Sequence, residues 1–187
     1  MLEQFIENNI NNVTIVLGYQ QDNAQSYIKE ISRVYNNIKI KTVNNLDYTF
    51  TGTLKSLLIG LEDLPNNIGG VLIVEGDVVC EDSILIDILK CNNNVLAVDS
   101  SSKLSEEEMK YKISKSNTIC EISKELSIKD AHGEYTGIFR LNRKDVEEFI
   151  SLGEDIYKNN KLAFYDHLTN LPNINLFHDR ARIAINQ

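Results

Sequence analysis

The sequence predicts an α/β domain, a three-layer αβα sandwich in which helices cover a mostly parallel mixed sheet. Three observations lead there. Short runs rich in β-branched and apolar residues recur at 13–17, 38–43, 70–74 and 95–98. Between them lie segments whose apolar residues return at helical spacing. The strongest run, Val71-Leu72-Ile73-Val74, passes straight into Glu75-Gly76-Asp77. That order aims a carboxylate into the crevice beyond the strand ends, where open α/β sheets hold ligands.

Residues 13–17 form a first strand, stopped by Gly18-Tyr19. Asp22 or Asn23 can cap a helix running to about residue 35, with Tyr27, Ile28, Ile31 and Val34 on one face. A second strand over 38–43 precedes a helix over 52–64, whose Leu54, Leu57, Leu58 and Leu61 form a stripe before Pro65 ends it. Strand 70–74, helix 82–89 and strand 95–98 complete a βαβαβαβ rhythm, which implies right-handed crossovers in a Rossmann-like arrangement. Beyond Asp99 the pattern changes. Residues 109–113 and 118–122 suit a hairpin around Ser116-Asn117. Another strand is predicted over 135–141 and a helix from Asp145, while the acidic stretch 100–108 reads as a solvated loop with one helical turn.

With 187 residues, one domain is the natural expectation, with residues 1–157 as its body and 158–187 as a helical end segment. A net charge of −8 argues against a nonspecific nucleic-acid binder, which needs a basic patch. Three cysteines without a CxxC pair indicate neither a disulfide framework nor a zinc site. No apolar run reaches bilayer length and the N-terminus lacks the basic start of a signal peptide, so a cytoplasmic protein without membrane contact is expected. A dinucleotide binder of the GxGxxG type is disfavoured because Gly18-Tyr19-Gln20 does not continue that pattern.

Several segments, in order, resemble the nucleotidyltransferase family that makes activated sugars and alcohols from NTPs. The resemblance is closest to its phosphocholine and 2-aminoethylphosphonate cytidylyltransferases. Its residues are VTIVLGY at 13–19, TGTLKSL at 51–57 and VLIVEGD at 71–77. Further along come Ala97-Val98-Asp99 with Glu108-Met109-Lys110, then Ile122-Ser123-Lys124 and Gly133-Glu134-Tyr135-Thr136-Gly137-Ile138. By this resemblance Asp77 binds Mg²⁺, and Thr51, Gly52, Thr53 and Ser56 lie beside base and ribose. Lys124 faces the acceptor phosphate, and Glu134, Tyr135 and Gly137 line the acceptor site. Residues 3–6 (EQFI) already match the family's first helix, so its opening strand and GxGxR…PK loop have no counterpart. An N-terminally truncated domain is therefore expected.

The implied reaction moves a nucleotidyl group, CMP for preference, from an NTP to a phosphorylated small alcohol or phosphonate, releasing pyrophosphate. Bringing two anions together makes charge neutralisation the main task, for Mg²⁺ on Asp77 and for Lys124. Plainer readings stay open: Asp77 as a turn residue, Lys124 paired with Glu125, Lys55 as a solvated helix lysine, Tyr19 and Tyr135 as core aromatics. The alternative function is a non-catalytic ligand-binding or regulatory module.

Residues 161–187 support two readings. Ala184-Ile185-Asn186 resembles the family's strand carrying a second metal ligand, which implies Asn186. Residues 163–173 (AFYDHLTNLPN) resemble instead the opening of a diguanylate cyclase (GGDEF) domain, which implies a fragment of a signalling protein. The signature loop of such a cyclase is not in the chain, so cyclase activity is not expected of it.

Overall fold

The computed structural model describes residues 1–164 except 63, 66 and 102. In chain order the elements are α1 (Leu2–Glu7), β1 (Asn12–Leu17), α2 (Gln21–Val34), β2 (Lys39–Asn44), α3 (Thr53–Leu61) and β3 (Gly70–Val74). There follow α4 (Asp82–Lys90), β4 (Val95–Asp99), β5 (Lys110–Ile113), β6 (Ile119–Ser123), β7 (Gly133–Asn142) and α5 (Arg143–Phe164). The chain divides into two compact units, one formed by Met1–Ile10 with Asn66–Val146, the other by Asn11–Pro65 with the chain from Glu147 onward.

In the second unit β1 and β2 pair in parallel, in register from Asn12↔Lys39 to Leu17↔Asn44. Parallel neighbours need a crossover, and α2 supplies it. Its inward edge is not the predicted stripe. Tyr27 and Val34 are 63% and 68% exposed, whereas Ala24, Ile28, Ile31 and Tyr35, spaced i, i+4, i+7 and i+11, are half-buried. On α3 the buried residues are Leu58 and Leu61, as its leucine stripe predicts. Glycines let its neighbours approach: a Cβ at Gly60 would lie 2.9 Å from Val16, and one at Gly153 of α5 would lie 3.0 Å from Leu58.

In the first unit β7 is central. It pairs antiparallel with β3 from Gly70↔Asn142 to Val74↔Ile138, and with β4 from Val95↔Arg140 to Asp99↔Glu134. Lys110 of β5 also faces Glu134, and β5 forms the predicted hairpin with β6. Because Phe139 pairs with Ile73 on one side and Leu96 on the other, β3 and β4 flank β7 and run parallel to each other. The mostly parallel sheet expected from the sequence is therefore corrected: the five-stranded sheet pairs antiparallel, and among the described residues parallel ladders are confined to β1 and β2. The βαβ rhythm sets the direction of β3 and β4 but not what lies between them. The last strand enters there, and its direction satisfies both edges at once.

Helix α4 closes one crossover, with Leu85 fully buried and Ile88 nearly so, beside Ile138 and Val146 in this unit's core. Phe5 of α1 is also buried, and Gln4 donates to the carbonyl of Cys80 at 2.9 Å and to Asp82 at 2.6 Å. The described residues of 100–108 contain no helical turn. Instead the Ser105 amide donates to the Glu108 carboxylate at 2.6 Å, closing a Ser-x-x-Glu turn. Helix α5 runs through residues 157 and 158 without a break. Asn186 and both readings of the C-terminal segment lie outside the described residues. Among the described residues, no helix is long and apolar enough to cross a membrane.

Candidate functional site

In the first unit the chemistry gathers where β3 ends. The Glu75 amide donates to the Gly137 carbonyl at 2.9 Å, and the Val78 amide to the Glu75 carbonyl at 3.2 Å, so Glu75-Gly76-Asp77 forms a turn pinned to β7. Gly137 is buried beneath it with φ +83°, and a Cβ there would approach Val78 to 2.7 Å and Glu75 to 3.3 Å. Only glycine combines that backbone with that clearance. Asp77 is exposed, and among the described residues its carboxylate has no hydrogen-bond or ion-pair partner. Tyr135, two residues before Gly137, stacks edge-on against Phe139 at 6.4 Å. Burial, and then the Glu75 carboxylate, push its phenol up to about 12.

Cross-strand register lines up Asp99, Glu134, Lys110 and Ser123 on β4, β7, β5 and β6, with exposed Lys124 one residue past the end. Gly133 opens β7 with φ +154°, where a Cβ would run into the Asp99 carbonyl and the Tyr111 ring. Antiparallel pairing thus brings together four segments that lie far apart in sequence. Asp77, Tyr135 and Gly137 cluster around one turn, Glu134 sits in the row, and Lys124 stands at its far end, two strands from β7.

Lys110 is fully buried, and its ammonium donates to the carbonyls of Ser105, Glu106 and Glu108 at 3.2 to 3.3 Å. It acts as a peg for the acidic loop. The Ser105 hydroxyl and amide hold the Glu108 carboxyl below the usual carboxylate range. Among the described residues, no three His, Cys, Asp or Glu side chains gather around a common metal position.

The second unit holds the other predicted residues. Gly52 caps α3 in extended conformation, Thr53 begins it, and Thr51 and Ser56 meet at Asn45, which is 2% exposed. The Asn45 amide donates to Thr51 Oγ1 at 2.9 Å and to Ser56 Oγ at 3.0 Å, and its carbonyl accepts from the Asp47 amide at 3.1 Å. Thr51 passes its own proton to the Asp47 carbonyl at 3.0 Å. Ser56 accepts from Asn45 and keeps its proton for something else. Lys55 places its ammonium 5.3 Å from the centre of the Tyr157 ring, a cation–π contact that accounts for it structurally.

Asn45 was not singled out by sequence. One of many asparagines, it is distinguished only by its place one residue past β2. At that level a depression of about 400 Å³ opens between Gly18, the first turn of α2 and Tyr48.

Residues 1–127 match the model of a family described as Domain of unknown function (DUF6564). No curated protein matches the sequence. Among solved structures, HddC from Yersinia pseudotuberculosis is similar in fold, with TM-score 0.50 and 15% identity over 79% of this chain. The chain spans 63% of the length of HddC. That likeness is one of fold alone.

Proposed function

The chain belongs to the family described as Domain of unknown function (DUF6564), and on its geometry we propose a nucleotidyltransferase-type protein that holds an NTP with Mg²⁺ at Asp77. The observation that carries this is the partnerless carboxylate at the carboxyl end of β3, on a turn fixed by buried, left-handed Gly137. A structural turn aspartate has no need of so constrained a support.

Mg²⁺ fits this donor set, because it keeps several waters and takes one or two carboxylates together with substrate phosphates. When bound it would neutralise phosphate charge; Asp77 supplies the protein ligand, and Asn186 is the second donor proposed. Within the second unit, the extended Gly52 and a first turn of α3 without a side-chain cap suit a polar edge such as that of a base or ribose. Ser56 is pre-set as a donor by Asn45, which also holds Thr51, and Thr53 begins the helix that carries Ser56. CTP is the favoured nucleotide.

The acceptor is a small phosphorylated alcohol or phosphonate, its anion met by Lys124. Glu134 suits an ammonium group on the same acceptor, and half-buried, un-ionised Tyr135 offers a hydrogen bond without adding charge. No nucleic acid or membrane enters the proposal.

The test is pyrophosphate release from CTP in the presence of phosphocholine or 2-aminoethylphosphonate. Release that depends on the acceptor and on Mg²⁺ supports transfer. CTP binding without release favours a regulatory module, and failure of all four NTPs to bind contradicts the proposal.

A further inference from the structure

The depression at the ends of β1 and β2 lies within the second unit and has a chemistry unlike that expected of a triphosphate site. Its floor is Gly18 and Asn45, its rim the polar run Gln20 to Asn23 at the start of α2, and its wall Tyr48. No lysine or arginine lines it, and the single charged side chain on it is Asp22, whose carboxylate has no partner among the described residues. A phosphate brought here would meet a negative charge with nothing to neutralise it.

Two further features shape the cavity. Tyr48 is 40% exposed and Tyr19 beside it 74%, their ring centres 6.5 Å apart and their planes tilted by 59°, so the two rings form an open aromatic corner. The corner is built into the backbone: a Cβ at Gly18 would come within 2.8 Å of the Tyr48 ring. Gln20 is held in left-handed conformation, φ 50° and ψ 37°, which is unusual for a non-glycine residue and sets the polar run at the rim.

We propose that this depression binds a neutral, hydroxyl-rich ligand, a saccharide ring, independently of nucleotide. A carboxylate accepts from two vicinal hydroxyls, and an amide such as that of Asn23 both donates and accepts. An exposed tyrosine face takes the C–H face of the ring, and its rigid side chain loses little entropy on binding. Asp22, Asn23 and Tyr48 supply one of each. The lining offers no cation to an anionic ligand, and hydroxyls satisfy the Asp22 carboxylate and the side-chain amides together.

Backbone amide NMR on the whole chain, titrated with neutral mono- and disaccharides, tests this without nucleotide or Mg²⁺. Choline chloride and inorganic phosphate serve as charged controls. A saccharide is expected to shift the amides of Gly18 and Gln20 to Asn23, and Asp22→Asn or Asn23→Ala to weaken it about tenfold, equivalent to about 1.4 kcal/mol. Both positions are exposed, so the fold survives these changes. Asp77→Asn should leave saccharide binding unchanged, which separates this inference from the nucleotide proposal. It is overturned if no saccharide shifts these amides, if phosphate or choline shifts them instead, or if binding ignores both variants.

Discussion

Replacing Asn45 by alanine removes three hydrogen bonds at a site that is 2% exposed: the donations to Thr51 and Ser56 and the acceptance from the Asp47 amide. Each bond contributes about 1 kcal/mol net, so their sum approaches about 3 kcal/mol. The two hydroxyls lie on half-buried residues, where water replaces part of what is lost, and Thr51 keeps its bond to the Asp47 carbonyl. The expected loss is therefore about 2 kcal/mol. With a urea slope of about 2 kcal/mol/M, the unfolding midpoint falls by about 1 M at unchanged slope. Ser56→Ala should lose about 1 kcal/mol alone, and less in an Asn45→Ala background, because the shared bond is already gone. Asn45→Ala losing under about 0.5 kcal/mol, or strict additivity with Ser56→Ala, would refute the reasoning that Asn45 organises this end of α3.

Gly137→Ala forces a side chain onto a φ of +83° and into Val78, so a loss of about 1 to 3 kcal/mol and displaced amide resonances for residues 75–77 are expected in a melt and an NMR spectrum. Tyr135 has a raised phenol, so its contribution to stability is fully present below its ordinary value of 10 and is lost as pH rises through about 12. Phenolate absorbance, differenced against Tyr135→Phe, should show this late titration, and Glu75→Gln should move it downward. Glu108 is the opposite case: its lowered carboxyl contributes stability above the ordinary 4.5, lost as pH falls through the lowered value. Carboxyl NMR should find it rising toward 4.5 in Ser105→Ala.

The local elements of this fold are legible in the sequence because each announces itself within a dozen residues. The run from Gly70 to Val74 reads as a strand from composition alone, and Pro65 and Gly52 bracket α3. Strand neighbours are not legible that way. Nothing in residues 133–142 states that they insert between β3 and β4, since that choice depends on partners 35 or more residues away. The same holds for the sites. Asp77 is proposed from a local rule, a carboxylate after an apolar strand, and Gly137 from a compact motif. Asn45 escapes, and Lys110 enters only as part of a motif with no role of its own, because their partners are backbone carbonyls, an amide and hydroxyls of loops and of α3, groups that leave no mark in the sequence. Tyr27 and Val34 look like core and lie exposed, because a helical stripe wider than its buried edge does not say which flank faces the sheet.

The central claim is that Asp77 holds the metal of a bound nucleotide. Isothermal titration of CTP at fixed Mg²⁺ into wild type and Asp77→Asn tests it most directly, since the substitution removes one negative charge and keeps shape. Wild type should bind CTP in a Mg²⁺-dependent way, and the variant should lose at least about tenfold in affinity while its urea melt stays within about 1 kcal/mol of wild type. Equal affinities in the two proteins, or CTP binding that is indifferent to Mg²⁺, would contradict it.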